Sequence, residues 1–167
     1  MADEPRAFDP VELSAYFALV EVGSLLRHSV EQQLRDAGDL SYVQFQLLAR
    51  LGDTPTGSCR MTELADGVVY SRSGLTYQAQ LLERRGLVTR TSASDDERAV
   101  NVTITEKGRG LLAEVFPGHI EVLDALLFKP LARGDVDVLA DVMGRLRDHM
   151  RTAPPRSASR RRRARTP

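Results

Sequence analysis

The sequence predicts a mostly α fold with a small β-hairpin wing, built as a compact centre between long terminal helices. Three observations predict it. Between residues 61 and 104 the apolar period switches from helical spacing to β-branched alternation. On both sides of that centre, apolar residues recur three and four apart over long stretches. The breaks between these patterns fall at glycine, proline and short polar clusters.

The first helix starts at Asp9-Pro10-Val11-Glu12. Asp9 can accept from the orphan amides of the first turn, Pro10 suits a position that needs no donor, and Glu12 can reach back. Leu13, Phe17, Val20, Leu25 or Leu26, Val30 and Leu34 then hold one broad face to about Ala37-Gly38. A terminal helix this long suggests a partner helix; the plainer alternative is that it lies across its own core. The polar residues 1–8 before it read as disordered. Ser41-Tyr42-Val43-Gln44 is a second reciprocal cap, opening a helix with Phe45, Leu47, Leu48 and Leu51 that ends near Gly52. Residues 53–58 (DTPTGS) form a loop by composition, and residues 59–61 can add a short strand beside the hairpin.

Two short helical patterns follow. Met61, Leu64, Ala65 and Val68 or Val69 mark the first apolar face, and Leu75, Ala79 and Leu82 the second. Thr62 and Ser71 stand at N-cap positions, and Gly86 at a helix stop. Residues 87–91 and 100–104 read as strands, joined by the charged segment 92–98. Helix, turn, helix and hairpin is the order of a winged helix-turn-helix, whose second helix can enter the major groove of DNA. Thr105 caps the next helix, with Leu111, Leu112, Val115, Phe116, Ile120, Leu123, Leu126 and Leu127 on its apolar face. Pro117 inside that pattern predicts a kink or a split, and Lys129-Pro130 an end. Residues 135–150 form a last helix with the stripe Val136, Leu139, Met143, Leu146 and Met150. Residues 154–167 are rich in arginine, serine and proline and predict a disordered tail. It is either an electrostatic arm for DNA or RNA or a solvated tail without a specific role.

The ordered motifs carry a specific resemblance. ELADGVVYSRSGLT (residues 63–76), LLERRGLVTR (81–90) and Asp96-Glu97-Arg98 with the AVNVTITEKG that follows (99–108) are similar to three motifs of the MarR family of bacterial transcriptional regulators. In order, these are its helix-turn-helix, its helix-to-wing junction, and its wing with the next helix cap. The outer helices match in length and order. The resemblance implies a MarR-like domain over residues 1–153, with the winged helix-turn-helix at about 60–108 and dimerisation helices at about 9–37 and 105–151. It implies a cytoplasmic homodimer that binds a near-palindromic operator on double-stranded DNA as a ligand-responsive repressor, and no enzymatic activity. Ser71, Arg72, Ser73, Thr76, Tyr77, Gln78 and Gln80 would face the major groove. Arg98 would enter the minor groove, supported by Asp96. Tyr77 and Gln78 stand where many relatives place basic residues, and packing of Tyr77 on the wing is the alternative for that side chain. A small aromatic or phenolic effector would lie among Tyr16, Phe17, His28, Tyr42 and Phe45.

Composition bounds these expectations. The 167 residues are 28% charged and 42% hydrophobic, ordinary for a soluble domain. No apolar run reaches the roughly 18 residues of a membrane span, and the acidic start is not a secretory signal. Formal net charge is zero, but unevenly spread. Residues 1–59 carry 4 basic and 9 acidic side chains, residues 60–109 carry 8 and 7, residues 110–153 carry 5 and 7, and residues 154–167 carry 6 and none. The near-neutral winged region supports a rival reading, a dimeric winged-helix protein-interaction module without DNA binding. The one cysteine, Cys59, reads as an incidental thiol rather than a redox sensor, and no internal disulfide can form. His28, His119 and His149 are scattered, so no metal site is expected, and His119 reads as a surface residue. No phosphate-cradling loop, nucleophile elbow or cofactor motif is present.

Overall fold

The computed structural model describes residues 6–67, 72–93 and 96–152, with the side chains of 66, 67, 72, 93 and 96–98 excepted. The elements in order are α1 (Pro10–Gly38), α2 (Tyr42–Gly52), β1 (Ser58–Arg60), α3 (Met61–Gly67), α4 (Arg72–Arg84), β2 (Val88–Ala93), β3 (Asp96–Ile104), α5 (Glu106–Leu123), a π-helical turn (Asp124–Phe128) and α6 (Arg133–Thr152). The chain divides into two compact units, Met1–Leu126 and Leu127–Pro167.

Local chemistry sets most of the boundaries. Asp9 and Glu12 form the reciprocal cap of α1, and Ser41 and Gln44 that of α2. Thr105 Oγ1 accepts from the Gly108 amide at the start of α5. The Met61 helix is capped differently from expectation. It begins at Met61, so Thr62 lies inside the first turn, and the Glu63 carboxylate accepts from the Arg60 amide at 3.1 Å. An ionised acceptor at a helix N-terminus also meets the positive end of the dipole, which a hydroxyl does not. Ser71 and Val68–Val69, the other expected markers of this region, lie outside the described residues. Residues 6–8 are irregular; Arg6 pairs with Glu12, and its guanidinium lies 5.6 Å from the centre of the Phe8 ring.

The first unit has one core. Leu34, Leu47, Leu48, Leu51, Leu64, Leu75, Ala79, Leu82 and Val115 are each at most 1% exposed, so helices α1 to α5 all enter it. The sheet, ordered β1-β3-β2, adds Val88, Val102 and Ile104. Cys59 pairs with Val102 across β1 and β3, so the expected extra strand is present. Gly57 makes that turn. Its φ is +68°, and a Cβ there would lie 2.1 Å from Arg109 Nη2.

One expectation is corrected in part. Pro117 does not split its helix, because α5 runs unbroken to Leu123. Val115 is fully buried and its carbonyl accepts from Gln33 Nε2 of α1, so tertiary contacts hold the turn beside the proline. The stripe of α1 is covered only at its C-terminal end. Val30 and Leu34 are buried, whereas Leu13, Phe17, Val20 and Leu25 are exposed. In the second unit, α6 buries no residue, and Val138, Met143, Leu146 and Met150 stand exposed along it.

Candidate nucleic-acid interface and adjoining cavity

The α4 helix is anchored by one face. Leu75, Ala79 and Leu82, at spacings of four and three, are fully buried. The opposite face is therefore turned out: Ser73 is exposed, Tyr77 is 54% exposed, and Gln80 is half-buried at its edge. Thr76 is half-buried beside β3, in a cleft of about 250 Å³ shared with Arg60, Ala65 and Val100. Gln78 is turned toward α2, where its Oε1 accepts from Gln44 Nε2 at 3.0 Å. Ser71 and the side chain of Arg72 lie outside the described residues.

The C-terminal end of α4 is tied to three other elements. Gly86, at φ +72°, donates to the Glu83 carbonyl at 2.8 Å, and Leu87 donates to the Leu82 carbonyl at 3.0 Å. That pair of bonds is a Schellman ending, which requires the left-handed backbone glycine tolerates. Arg85 donates to the carbonyls of Gly38 at 2.9 Å and Asp39 at 2.6 Å, gripping the end of α1. Lys107 Nζ donates to the Arg85 carbonyl at 2.8 Å, and Thr105 Oγ1 to the Gly86 carbonyl at 2.7 Å. Cations on helix C-terminal carbonyls are favoured by the dipole as well as by the bond.

The wing differs in outline from expectation. Strand β2 extends to Ala93 and β3 begins at Asp96, so Arg98 lies inside the returning strand rather than at the tip. Ser92 pairs with Val100, but Ala93 pairs with Asp96, so residues 97–99 have no opposite neighbour on β2. Such a bulge bends and twists a ribbon locally. The tip residues 94–95 and the side chains of Asp96 and Arg98 lie outside the description. Behind the wing, Arg90 binds Glu83 through its amide at 3.0 Å and its guanidinium at 3.5 Å, fixing β2 to α4.

A cavity of about 840 Å³ opens between α2 and α5, lined by Tyr42, Phe45, Arg50, Arg109, Phe116 and His119 among others. Two of the five expected effector residues, Tyr42 and Phe45, belong to it. Tyr16 and Phe17 contact each other edge to face at 5.3 Å on the exposed half of α1. His28 belongs to a separate depression with Gln32 and Gln33. His119 is not the surface residue the sequence suggests. Its ring lies 4.5 Å from that of Phe45, and its Nδ1 is buried with no partner among the described residues. Burial lowers its pKa below the ordinary value, favouring the neutral ring. Gln44 was legible only as a cap. A polar residue flanked by the core residues Val43 and Phe45 is the signal of its second role. Among the described residues no group of three or more His, Cys, Asp or Glu could hold a metal ion.

The model of the MarR family matches residues 38–99, which span α2, both helices of the helix-turn-helix and most of the wing. The chain is also 34% identical over 106 residues to the HTH-type transcriptional regulator YxaD of Bacillus subtilis, covering 62% of this chain and 70% of that one. The chain belongs to the MarR family. A second relative is the HTH-type transcriptional repressor YetL of Bacillus subtilis, 26% identical over 119 residues, with 71% of each chain covered. Among solved structures, the MarR family regulator Sco3205 of Streptomyces coelicolor, in complex with DNA, superposes with a TM-score of 0.84. That match has 28% identity and covers 88% of this chain and 92% of Sco3205. MarR regulators are transcription factors rather than enzymes, and the mostly helical fold with a three-stranded wing is that of the family. Among the described residues no helix is long and apolar enough to cross a membrane.

Proposed function

We propose that this MarR-family chain is a homodimeric repressor that reads a near-palindromic operator and responds to a small aromatic or phenolic effector. One observation carries the DNA-binding part. The α4 helix buries Leu75, Ala79 and Leu82 completely while turning out Ser73 and Tyr77, and its C-terminus is tied to α1, β2 and α5. A helix held so firmly by one face is suited to present the other to a major groove. Ser73, Thr76, Tyr77, Gln78 and Gln80 are the candidate contacts on α4, joined by Ser71 and Arg72 at its start and by Arg98, with Asp96, on the wing. Sco3205, its structural relative, was solved bound to DNA, and YetL is named a repressor.

Dimerisation is supported by unsatisfied apolar surface. Val11, Tyr16, Phe17, Val20 and Leu25 on α1, and Val138 and Met150 on α6, are 49–76% exposed in the single chain. Exposed apolar stripes of that kind, on each helix by itself, mark an interface. Two-fold pairing then implies two half-sites about one helical turn apart. For the effector, the walls Tyr42, Phe45 and Phe116 offer ring contacts, while Arg50 and Arg109 offer cations to an acidic substituent.

The test is selection of bound fragments from genomic DNA, followed by gel shifts at several salt concentrations and light scattering for the oligomer. A dimer that enriches an inverted repeat is the expected result. No DNA retained even at low salt would leave the protein-interaction module as the better reading.

A further inference from the structure

A chain of three hydrogen-bonding groups runs from the start of α2 to the middle of α4. The Ser41 amide donates to Gln44 Oε1 at 3.1 Å. Gln44 Nε2 donates to Gln78 Oε1 at 3.0 Å. Side-chain amides are ordinarily ambiguous, because oxygen and nitrogen can exchange places by a flip. Here the direction is forced. A backbone N–H can only donate, so Gln44 must turn its oxygen to Ser41 and its NH2 toward Gln78. Gln78 must therefore receive on its oxygen. Gln44 is 8% exposed, so a flip would leave its NH2 against the Ser41 donor inside the protein.

This matters for what α4 can read. A free glutamine reads adenine with both ends of its amide, accepting from N6 and donating to N7. With its oxygen held against α2, Gln78 has only its NH2 group left to offer, and that group can only donate. We propose that Gln44 is a positioning residue for base recognition: it fixes the polarity of the Gln78 amide, so that α4 selects a hydrogen-bond acceptor where Gln78 meets the DNA. The inference rests on the DNA-binding reading above. In the major groove, guanine, the O4 of thymine and the N7 of adenine supply acceptors, whereas cytosine supplies only a donor. The base opposite Gln78 is then one with an exposed acceptor, guanine, thymine or adenine at its N7, without the two-ended bond that singles out adenine, and cytosine is disfavoured.

Gln44→Glu reverses the polarity without removing the cap. A glutamate at this helix position still accepts from the Ser41 amide, and carboxylates suit a helix N-terminus. Its second oxygen cannot donate, so Gln78 must flip to give its NH2 inward and present its oxygen outward. Gln44→Met keeps the volume but holds neither orientation, and Gln78→Met removes the reading group.

The experiment is operator selection from a random duplex library with the full-length protein and these three variants, with thermal melting as a check of folding. In the wild type, one position per half-site should select against cytosine and favour bases with an exposed acceptor. In Gln44→Glu the same position should turn toward cytosine, with at least a threefold rise in the ratio of cytosine to guanine and thymine. In Gln44→Met and Gln78→Met the position should lose its preference while the rest of the motif stays. An unchanged profile in Gln44→Glu or Gln78→Met, with melting intact, overturns the assignment, as does a wild-type preference for cytosine at that position. If Gln44→Glu melts early, Gln44→Met and Gln78→Met decide by the same criterion. A wild type that enriches no motif at all overturns the DNA-binding reading itself, which keeps the two failures apart.

Discussion

Gly108 is the third residue of α5, and a Cβ built there would lie 2.2 Å from the Leu87 carbonyl oxygen. That oxygen already accepts from the Thr105 amide at 3.1 Å. The obstacle is backbone on both sides, so Gly108→Ala cannot be absorbed by a rotamer change. The start of α5 must move by about an ångström to reach ordinary contact, and that strains overpacked structure by roughly 1–3 kcal/mol. The same movement stretches the bonds from Thr105 to Leu87 and Gly86 and from Lys107 to Arg85. At about 1 kcal/mol for each bond lost, the expected destabilisation is about 2–4 kcal/mol. For a chain of this size that is a fall in Tm of about 5–15 °C. Gly110→Ala is the matched control, since nothing lies within 4 Å of its added Cβ and it sits in the same helix. It should gain about 0.5–1 kcal/mol from helix propensity. Denaturant unfolding of both variants at one protein concentration measures the contrast. If Gly108→Ala matched the wild type within about 0.5 kcal/mol, the tight seat of α5 on the α4–β2 junction would be wrong.

The remaining expectations concern binding and pH. Arg98→Ala should weaken operator binding by roughly 1–3 kcal/mol and lower the salt slope by about one, more on A·T-rich than G·C-rich flanks; titrations at two salt concentrations measure this, and equal affinities would remove the wing from the interface. Deleting residues 154–167, which carry six arginines and no acid, should flatten the salt dependence and leave the selected motif unchanged. Cys59→Ser should leave DNA binding and its response to peroxide as in the wild type; a variant that alone resists peroxide would make Cys59 a sensor. For His119 the folded pKa is lowered by burial, so the unfolded chain binds the proton more readily. Its contribution is intact above the unfolded pKa and falls as pH drops through it toward the folded pKa. His119→Phe should reduce the fall in Tm between neutral and mildly acidic pH, and an identical pH profile would exclude this group as a cause.

The fold was most legible where a side chain answers a nearby backbone group. The caps at Asp9, Ser41 and Thr105, and the stop at Gly86, depend on residues within a turn of each other, so sequence spacing carries them. The buried stripe of α4 was equally readable, because Leu75, Ala79 and Leu82 repeat with the helix period. What was missed needs tertiary knowledge. The bond between Gln44 and Gln78 joins residues 34 apart, and no spacing rule links them. His119 looked solitary because Phe45 reaches it from another helix. Pro117 is a helix breaker by local rule, yet α5 continues past it beside a buried Val115 held by Gln33. Packing outweighs propensity there, as it does in most helices that are marginal alone.

Charge shows why composition was a poor guide to this region. Residues 60–109 carry eight basic and seven acidic side chains, which by count looks unsuited to DNA. Several of these charges already have internal work. Arg85 and Lys107 sit on carbonyls, Arg90 binds Glu83, and Glu63 caps the turn at Arg60. Their function is to hold α4 and the wing in place, and the formal sum cannot distinguish them from charges aimed outward. Field strength at a DNA backbone depends on where the remaining cations stand and how closely they approach, because screening removes distant ones within about 8 Å at physiological salt. A protein built this way would draw little nonspecific affinity from its folded body and more of its discrimination from hydroxyl, phenol and amide groups on α4. Serine, threonine, tyrosine and glutamine discriminate by direction of hydrogen bonding rather than by charge. That is why the orientation of one buried amide, Gln44, carries weight: where few charges act, the polarity of each amide becomes a larger part of recognition.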